Sequence, residues 1–158
     1  MRTTTHLPGY RVCVAAVALL LVQAWLDSSQ TALAGRELVV IVHKASPAAT
    51  LTAAQVKAYY LKKQAAWSDG SKVRPVQQSG DVRDGFVKRT LGMSTTDFER
   101  YWLELKYSAA ESPPKQVESD EDVIRFVGTM KGAIGFIDAA SLDSGAQAKV
   151  KAVLRATY

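Results

Sequence analysis

The stretch from Gln78 to Arg83 (QSGDVR) has the residue types needed to hold an anion. Small residues between a strand and a helix can leave backbone N–H groups free at the helix start, where the helix dipole also favours negative charge. The Ser79 hydroxyl can donate a hydrogen bond, and the planar guanidinium of Arg83 can contact two oxygens of one oxyanion. A competing interpretation is that Ser79 or Asp81 only caps the helix while Arg83 is solvated. Asp81 opposes a bound anion unless its carboxylate points away.

Two other groups of residues could carry chemistry, and each has a simpler explanation. His43 and Ser46 could form a base and nucleophile oriented by Asp69 or Asp138, but the chain has no G-x-S-x-G nucleophile turn. The acidic residues in the range 118–122 could bind a hard cation, although at a predicted helix start they are better explained as dipole-complementing caps. The glycine motifs that hold nucleotide phosphates are absent from the sequence. We therefore expect no enzyme, no metal site and no cofactor.

The composition is typical of one globular domain, with 47% hydrophobic and 22% charged residues among 158. A formal net charge of +5 attracts anions mildly and falls far short of a nucleic-acid-binding surface. One cysteine and two histidines exclude a disulfide framework and a thiolate-rich zinc site.

The first 34 residues are organised like a secretory signal peptide. A polar start with two arginines precedes an apolar run of eleven residues, Val12–Val22, and Ala32-Leu33-Ala34 is a small-x-small cleavage pattern. A helix of eleven residues is about 16 Å long, well short of the hydrocarbon layer of a membrane. We predict cleavage after Ala34, which makes 1–34 the signal peptide and 35–158 one periplasmic domain with no stable membrane span. The alternative is that the segment stays as an anchor.

Four segments have the pattern of β-strands. Glu37–His43 (ELVVIVH) is an unbroken apolar run, which is typical of a central strand covered on both faces. Pro75 cannot donate to a ladder, and it therefore places the strand over 73–77 at a sheet edge or at a strand start. The last two strands are predicted over 133–137 and 149–154.

Four helices are predicted between these strands. They begin at the Thr52–Gln55 capping box, at Val82, at Ser94 or Thr95, and after Ser119. The order of elements is β-α-β-α-α-α-β-β, which favours an α/β sandwich with a mainly parallel sheet flanked by helices. Ligands of such folds bind at the carboxyl ends of the strands, where we expect the 78–83 stretch to lie.

Four sequence segments carry a resemblance to a known family. They are LVVIVHKASP (38–47), LTAAQVKAYYLKKQAAWSDGSKVRPV (51–76), SGDVRDGFVKRTLG (79–92) and KGAIGFI (131–137). Together they resemble the phosphate-binding-protein-like family of periplasmic solute-binding proteins. Their order and spacing match the family over nearly all of the predicted mature chain. The resemblance implies a three-layer sandwich like one lobe of a type II periplasmic binding protein. It also implies that phosphate or a related oxyanion is bound for an ABC transporter.

The chain departs from that family in ways that affect the predicted site. Asp81 replaces the threonine of the family's S-G-T turn, and only one of two lobes is recognisable. A single lobe supplies part of a ligand's hydrogen-bond shell, so a second lobe, a homodimer or an envelope partner would complete it. The alternative function is a ligand-free envelope adaptor or sensor partner derived from such a lobe. The candidate oxyanion-binding residues are Ser46, Ser79, Gly80, Asp81, Val82 and Arg83.

Overall fold

The computed structural model describes residues 35–158, and the predicted signal peptide lies outside them. The strands are β1 (Glu37–His43), β2 (Arg74–Gln78), β3 (Lys115–Val117), β4 (Ala133–Asp138) and β5 (Val150–Thr157). The helices are α1 (Ala53–Tyr60), α2 (Asp81–Phe86), α3 (Thr95–Ala109), α4 (Asp120–Thr129) and α5 (Ser144–Lys149). A π-helical turn, Val87–Leu91, continues α2, and a 3-10 turn, Ala139–Ser141, follows β4. None of these helices is long and apolar enough to cross a membrane.

The five strands form one mixed sheet in the order β3-β2-β4-β1-β5. β2 is parallel to β3 and β4, whereas β1 is antiparallel to β4 and β5. Four strands therefore point the same way and β1 points the opposite way. The predicted α/β fold is confirmed, and so is the interior position predicted for β1. β2 is also interior, so an edge position for it is wrong. Pro75 is tolerated because it lies near the strand start, before pairing with β3 begins at Val76.

The sheet separates two apolar cores, and β1 is therefore buried on both of its faces. Leu38, Val40 and Val42 face the core formed with α1, α2 and α3, whereas Val39 and Ile41 face the core formed with α4. Successive side chains of a strand point to opposite faces, so an unbroken apolar run serves both cores. This arrangement is the predicted three-layer sandwich.

An aromatic cluster anchors α2 beneath the loop that follows β2. The Phe86 ring stacks on Phe136 of β4 with centroids 4.0 Å apart, and it also contacts Tyr60 at 4.7 Å. The buried Tyr60 hydroxyl donates to the carbonyl of Val76 at 2.7 Å. Burial raises the pKa of Tyr60 well above its ordinary value, so this phenol stays protonated and keeps its hydrogen bond. α1, α2, β2 and β4 are thereby tied together at one place.

The structure contains two elements that the sequence pattern does not predict. β3 has three largely exposed residues, and it becomes a strand only because it pairs with β2. α5 has six residues, of which Ala146 alone is buried, so it has no apolar stripe. Its start is stabilised by the Asp143 carboxylate, which accepts from the Ala146 N–H at 2.7 Å. The last strand is also longer than predicted, ending at Thr157.

Candidate functional site

Ser79 and Gly80 join the carboxyl end of β2 to the first turn of α2. Gly80 is the N-cap residue with φ +81°, a conformation that favours glycine, and no side chain caps this helix. The other four α-helices of residues 35–158 do have side-chain caps, which are Thr52, Ser94, Ser119 and Asp143. The interpretation that Ser79 or Asp81 caps α2 is therefore wrong. The N–H groups of its first turn have no side-chain acceptor among these residues.

The Ser79 hydroxyl is held by β3. Its oxygen accepts a hydrogen bond from the Gln116 side-chain amide at 2.8 Å. The hydroxyl proton has no acceptor within the described part of the chain, so it can be donated to a ligand. The contact depends on β3, and sequence reasoning therefore missed Gln116.

Arg83 is the third residue of α2 and is not a solvated side chain. Only 17% of the side chain is exposed, and its Nη2 donates to Glu99 of α3 at 3.1 Å. The guanidinium carbon lies 5.9 Å from the centroid of the Phe98 ring. Its buried Nε has no partner among residues 35–158. The interpretation of Arg83 as a solvated first-turn residue is therefore wrong.

A groove opens beside this loop, between α2 and α3, with a volume of about 280 Å³. We call it the α2–α3 groove. Its polar lining includes Arg83 and Gln116, and its apolar lining includes Phe98, Trp102 and Leu103. Phe98 and Trp102 of α3 are buried, as their helical spacing predicts, yet they also form a wall of this groove. The sequence feature that could have indicated this groove is Leu103, an apolar residue that lies outside the buried stripe of α3.

Asp81 leans to the opposite side of the loop from Gln116. Its carboxylate is 87% exposed and lies 3.6 Å from Nη1 of Arg36. Arg36 also donates to Asp138, at the carboxyl end of β4, at 2.8 Å. Because β4 and β3 flank β2 on opposite sides, Asp81 points away from the α2–α3 groove. It still places a negative charge beside the predicted anion site.

The Asp138 carboxylate stays ionised at this edge of the sheet. The backbone N–H of Ala140 and the Arg36 guanidinium hold the pKa of Asp138 below its ordinary value. A carboxylate whose pKa is lowered in the folded state contributes its full stabilisation at pH values above its unfolded-state pKa of about 4. This stabilisation is lost as the pH falls through the folded-state pKa. The pair therefore remains charged at neutral pH.

Asp120, the first residue of α4, connects the carboxyl ends of β2 and β4. Its carboxylate accepts from the Gln78 side-chain amide, from the Asp138 N–H at 3.2 Å and from the Ser141 hydroxyl at 2.5 Å. The Gln78 amide also donates to the Phe136 carbonyl at 3.1 Å. Gln78 directly precedes Ser79, so this network sets where the loop begins. Sequence reasoning assigned Asp120 only a dipole-complementing role.

Solved structures that match 75% of this chain include three phosphate-transport proteins. One, from Clostridium perfringens, is described as a phosphate ABC transporter substrate-binding protein with bound phosphate, with 20% identity, TM-score 0.59 and 45% of that chain covered. An ABC-type phosphate transport receptor from Vibrio cholerae has 22% identity, TM-score 0.57 and 45% covered. PstS from Borrelia burgdorferi has 10% identity, TM-score 0.58 and 47% covered. The described chain has the fold of one lobe of a phosphate substrate-binding protein.

This lobe spans less than half the length of each of those structures. No protein-family model matches the chain, and no curated protein does. The binding-protein fold expected from the four sequence segments is confirmed.

Ser46 does not lie with the other predicted site residues of the lobe. It follows β1, whose direction is opposite to that of β2, so the two strands end at opposite edges of the sheet. There the Ser46 carbonyl accepts from the Lys151 ammonium at 2.6 Å, and only 7% of the residue is exposed. The same reversal separates His43 from Asp138, which pairs with Leu38 at the start of β1. A His43–Ser46–Asp138 catalytic arrangement is thereby excluded.

Proposed function

We propose that residues 35–158 form a non-enzymatic solute-binding lobe that holds phosphate or a related oxyanion at the Ser79–Arg83 loop. The observation that carries this proposal is the uncapped start of α2 beside the Ser79 hydroxyl and the Arg83 guanidinium. Backbone amides at a helix start together with a guanidinium are an established means of binding tetrahedral anions. The bound phosphate of the Clostridium perfringens structure supports this ligand class.

The proposed site needs a second half. Two-lobed receptors bury their solute in a cleft between lobes, and a single lobe leaves much of the ligand in water. The described residues provide donors from one side only. We propose that a second copy of the chain, or a separate envelope protein serving an ABC transporter, provides the other side.

Export to the periplasm is part of the same proposal and can be tested separately. N-terminal sequencing of the protein recovered from the periplasmic fraction should begin at or near Gly35, because Ala32-Leu33-Ala34 precedes that residue. An intact mass that includes residues 1–34 would instead identify the segment as a retained anchor.

Asp81→Thr should strengthen phosphate binding by about threefold to tenfold, the sum of a relieved surface repulsion and a new hydroxyl donor. The carboxylate that is removed lies beside the uncapped turn and is almost fully exposed. Isothermal titration of the exported protein with inorganic phosphate measures the change.

Asp69→Asn is the matched control, because it removes one negative charge near the amino end of β2, at the other edge of the sheet. It should leave the affinity unchanged. If the native chain and Asp81→Thr both give no heat and no thermal shift at millimolar phosphate, oxyanion binding by this lobe is refuted.

The second candidate is a ligand-free envelope adaptor. It is favoured by one observation, the exposed Asp81 carboxylate and its contact with Arg36 where a binding lobe would hold an anion. Affinity capture from envelope extracts separates the two functions. An adaptor would retain its partner equally with and without phosphate, whereas a binding lobe would respond to the ligand.

A further inference from the structure

The α2–α3 groove extends from the proposed oxyanion site, and it adds an apolar surface with which an inorganic ion makes no favourable contact. Its polar end contains Arg83 and Gln116, the residue that holds Ser79. Beyond that end the lining includes Phe98, Trp102 and Leu103. Inorganic oxyanions are recognised through charge and hydrogen-bond donors, whereas apolar walls gain free energy only by covering apolar groups. The groove therefore fits a ligand with both an anionic and an apolar part.

Unpaired hydrogen-bond donors in the groove lining are a second indication of a ligand, independent of the shape of the groove. Three buried side-chain polar atoms of residues 35–158 lack a partner, namely Arg83 Nε, Trp102 Nε1 and Thr90 Oγ1. The first two belong to residues that line the groove, and Trp102 is only 4% exposed. A buried N–H without an acceptor is destabilising, and such groups are rare in folded proteins. Arg83 Nε–H is a donor at the polar end of the groove, so an acceptor atom of an anionic ligand is the partner that it lacks.

The rim of the groove exposes apolar surface. Leu103 and Tyr107 are the exposed large hydrophobic side chains of the described chain, at 54% and 79%, and both belong to α3. Only Leu103 lines the groove. An apolar group lying in the groove would cover part of Leu103.

Charge and size restrict the ligand further. Arg83 and Lys106 outnumber Glu99 in the lining, so an anion is favoured. The volume of about 280 Å³ lies just below the range of about 300 to 1,000 Å³ that is usual for ligand pockets, which suits a compact organic molecule.

We propose that the lobe binds an organic oxyanion, a phosphonate or phosphate monoester with a small apolar substituent. The anionic group lies at the Ser79–Arg83 loop, and the substituent lies against Trp102 and Leu103. This inference rests on the proposed function and names its ligand class.

Isothermal titration of the exported protein with phenylphosphonate, methylphosphonate, inorganic phosphate and benzyl alcohol tests the inference. Phenylphosphonate should bind at least tenfold more tightly than methylphosphonate or inorganic phosphate, and benzyl alcohol should not bind measurably. Leu103→Ser should reduce phenylphosphonate affinity severalfold and leave inorganic phosphate unaffected. The matched control is Tyr107→Ser, an exposed apolar position on the same helix outside the groove, which should change neither affinity.

Equal affinities for phenylphosphonate and inorganic phosphate, or equal effects of Leu103→Ser on both, would overturn the organic ligand and leave oxyanion binding intact. Binding of benzyl alcohol as tight as that of phenylphosphonate would show that the groove binds apolar groups without requiring an anion, and it would overturn the proposed ligand class. Failure of every anion to bind would overturn the proposed function as well.

Discussion

Replacing Arg83 by alanine should weaken oxyanion binding about 10- to 100-fold, because a charge-assisted hydrogen bond is worth about 1.5 to 3 kcal/mol and each 1.4 kcal/mol is tenfold. The guanidinium is held near the loop by Glu99 and by the Phe98 ring, so little ordering is needed on binding. Stability should change less, since the Glu99 carboxylate that loses its partner is 62% exposed. Titration with inorganic phosphate and a thermal unfolding curve measure the two effects separately.

Two further variants separate the effect of the Arg83 donor geometry from the effect of removing any positive charge. Arg83→Lys keeps the charge but loses the planar pair of donors, so its affinity should fall between those of the native chain and Arg83→Ala. Arg100→Ala removes an exposed arginine of α3 whose one ion pair within residues 35–158 is with Asp97, and it should leave the affinity unchanged. If Arg83→Ala lowers stability and leaves phosphate affinity unchanged, Arg83 serves only to pack α2 on α3. The adaptor function would then be preferred.

Asp120→Ala should lower the free energy of unfolding by about 2 to 4 kcal/mol, the range for breaking a partly buried hydrogen-bond network. The change leaves the Gln78 amide, the Asp138 N–H and the Ser141 hydroxyl without their shared acceptor. At about 4 °C for each kcal/mol in a domain of this size, the midpoint of thermal unfolding should fall by roughly 8 to 16 °C. Calorimetry or circular dichroism of the exported protein measures this shift.

Asp122→Ala is the matched control for the Asp120 variant. Both residues lie in the first turn of α4 and complement the same helix dipole. Within the described part of the chain, the Asp122 side chain pairs only with Arg125, which is 73% exposed, so the loss of this side chain should cost less than about 1 kcal/mol. Equal losses for the two variants would show that Asp120 contributes through the dipole alone.

Local signals in the sequence predict most of the individual elements. The unbroken apolar run at Glu37–His43 correctly indicates a strand buried on both faces, because only such a strand can cover two cores. Thr52, Ser94 and Ser119 cap the helices they are predicted to begin, since capping involves residues only two or three positions apart. The short elements β3 and α5 have no such signal. They exist because of their contacts with the rest of the fold.

The direction of β1 is the feature of the fold that local reasoning could not provide. Whether two strands pair parallel or antiparallel depends on the path of the chain between them, and the strand patterns themselves are the same in both cases. That direction decides which residues meet. It separates Ser46 from Ser79 and brings Arg36, just before β1, beside Asp138, the last residue of β4.

By itself, the sequence determined that a short loop of small residues, Ser79 and Gly80, joins a strand to the helix that contains Arg83, because the preference for glycine and the signals of a helix start depend on neighbouring residues. The tertiary structure alone decided what surrounds that loop. Gln116 reaches Ser79 from β3, Asp120 holds the preceding Gln78 from α4, and α3 forms the apolar wall beside Arg83. These partners are between 15 and 42 positions away in the chain, from Phe98 beside Arg83 to Asp120 beside Gln78. Contacts at such separations are set by how the layers pack, which no local spacing encodes.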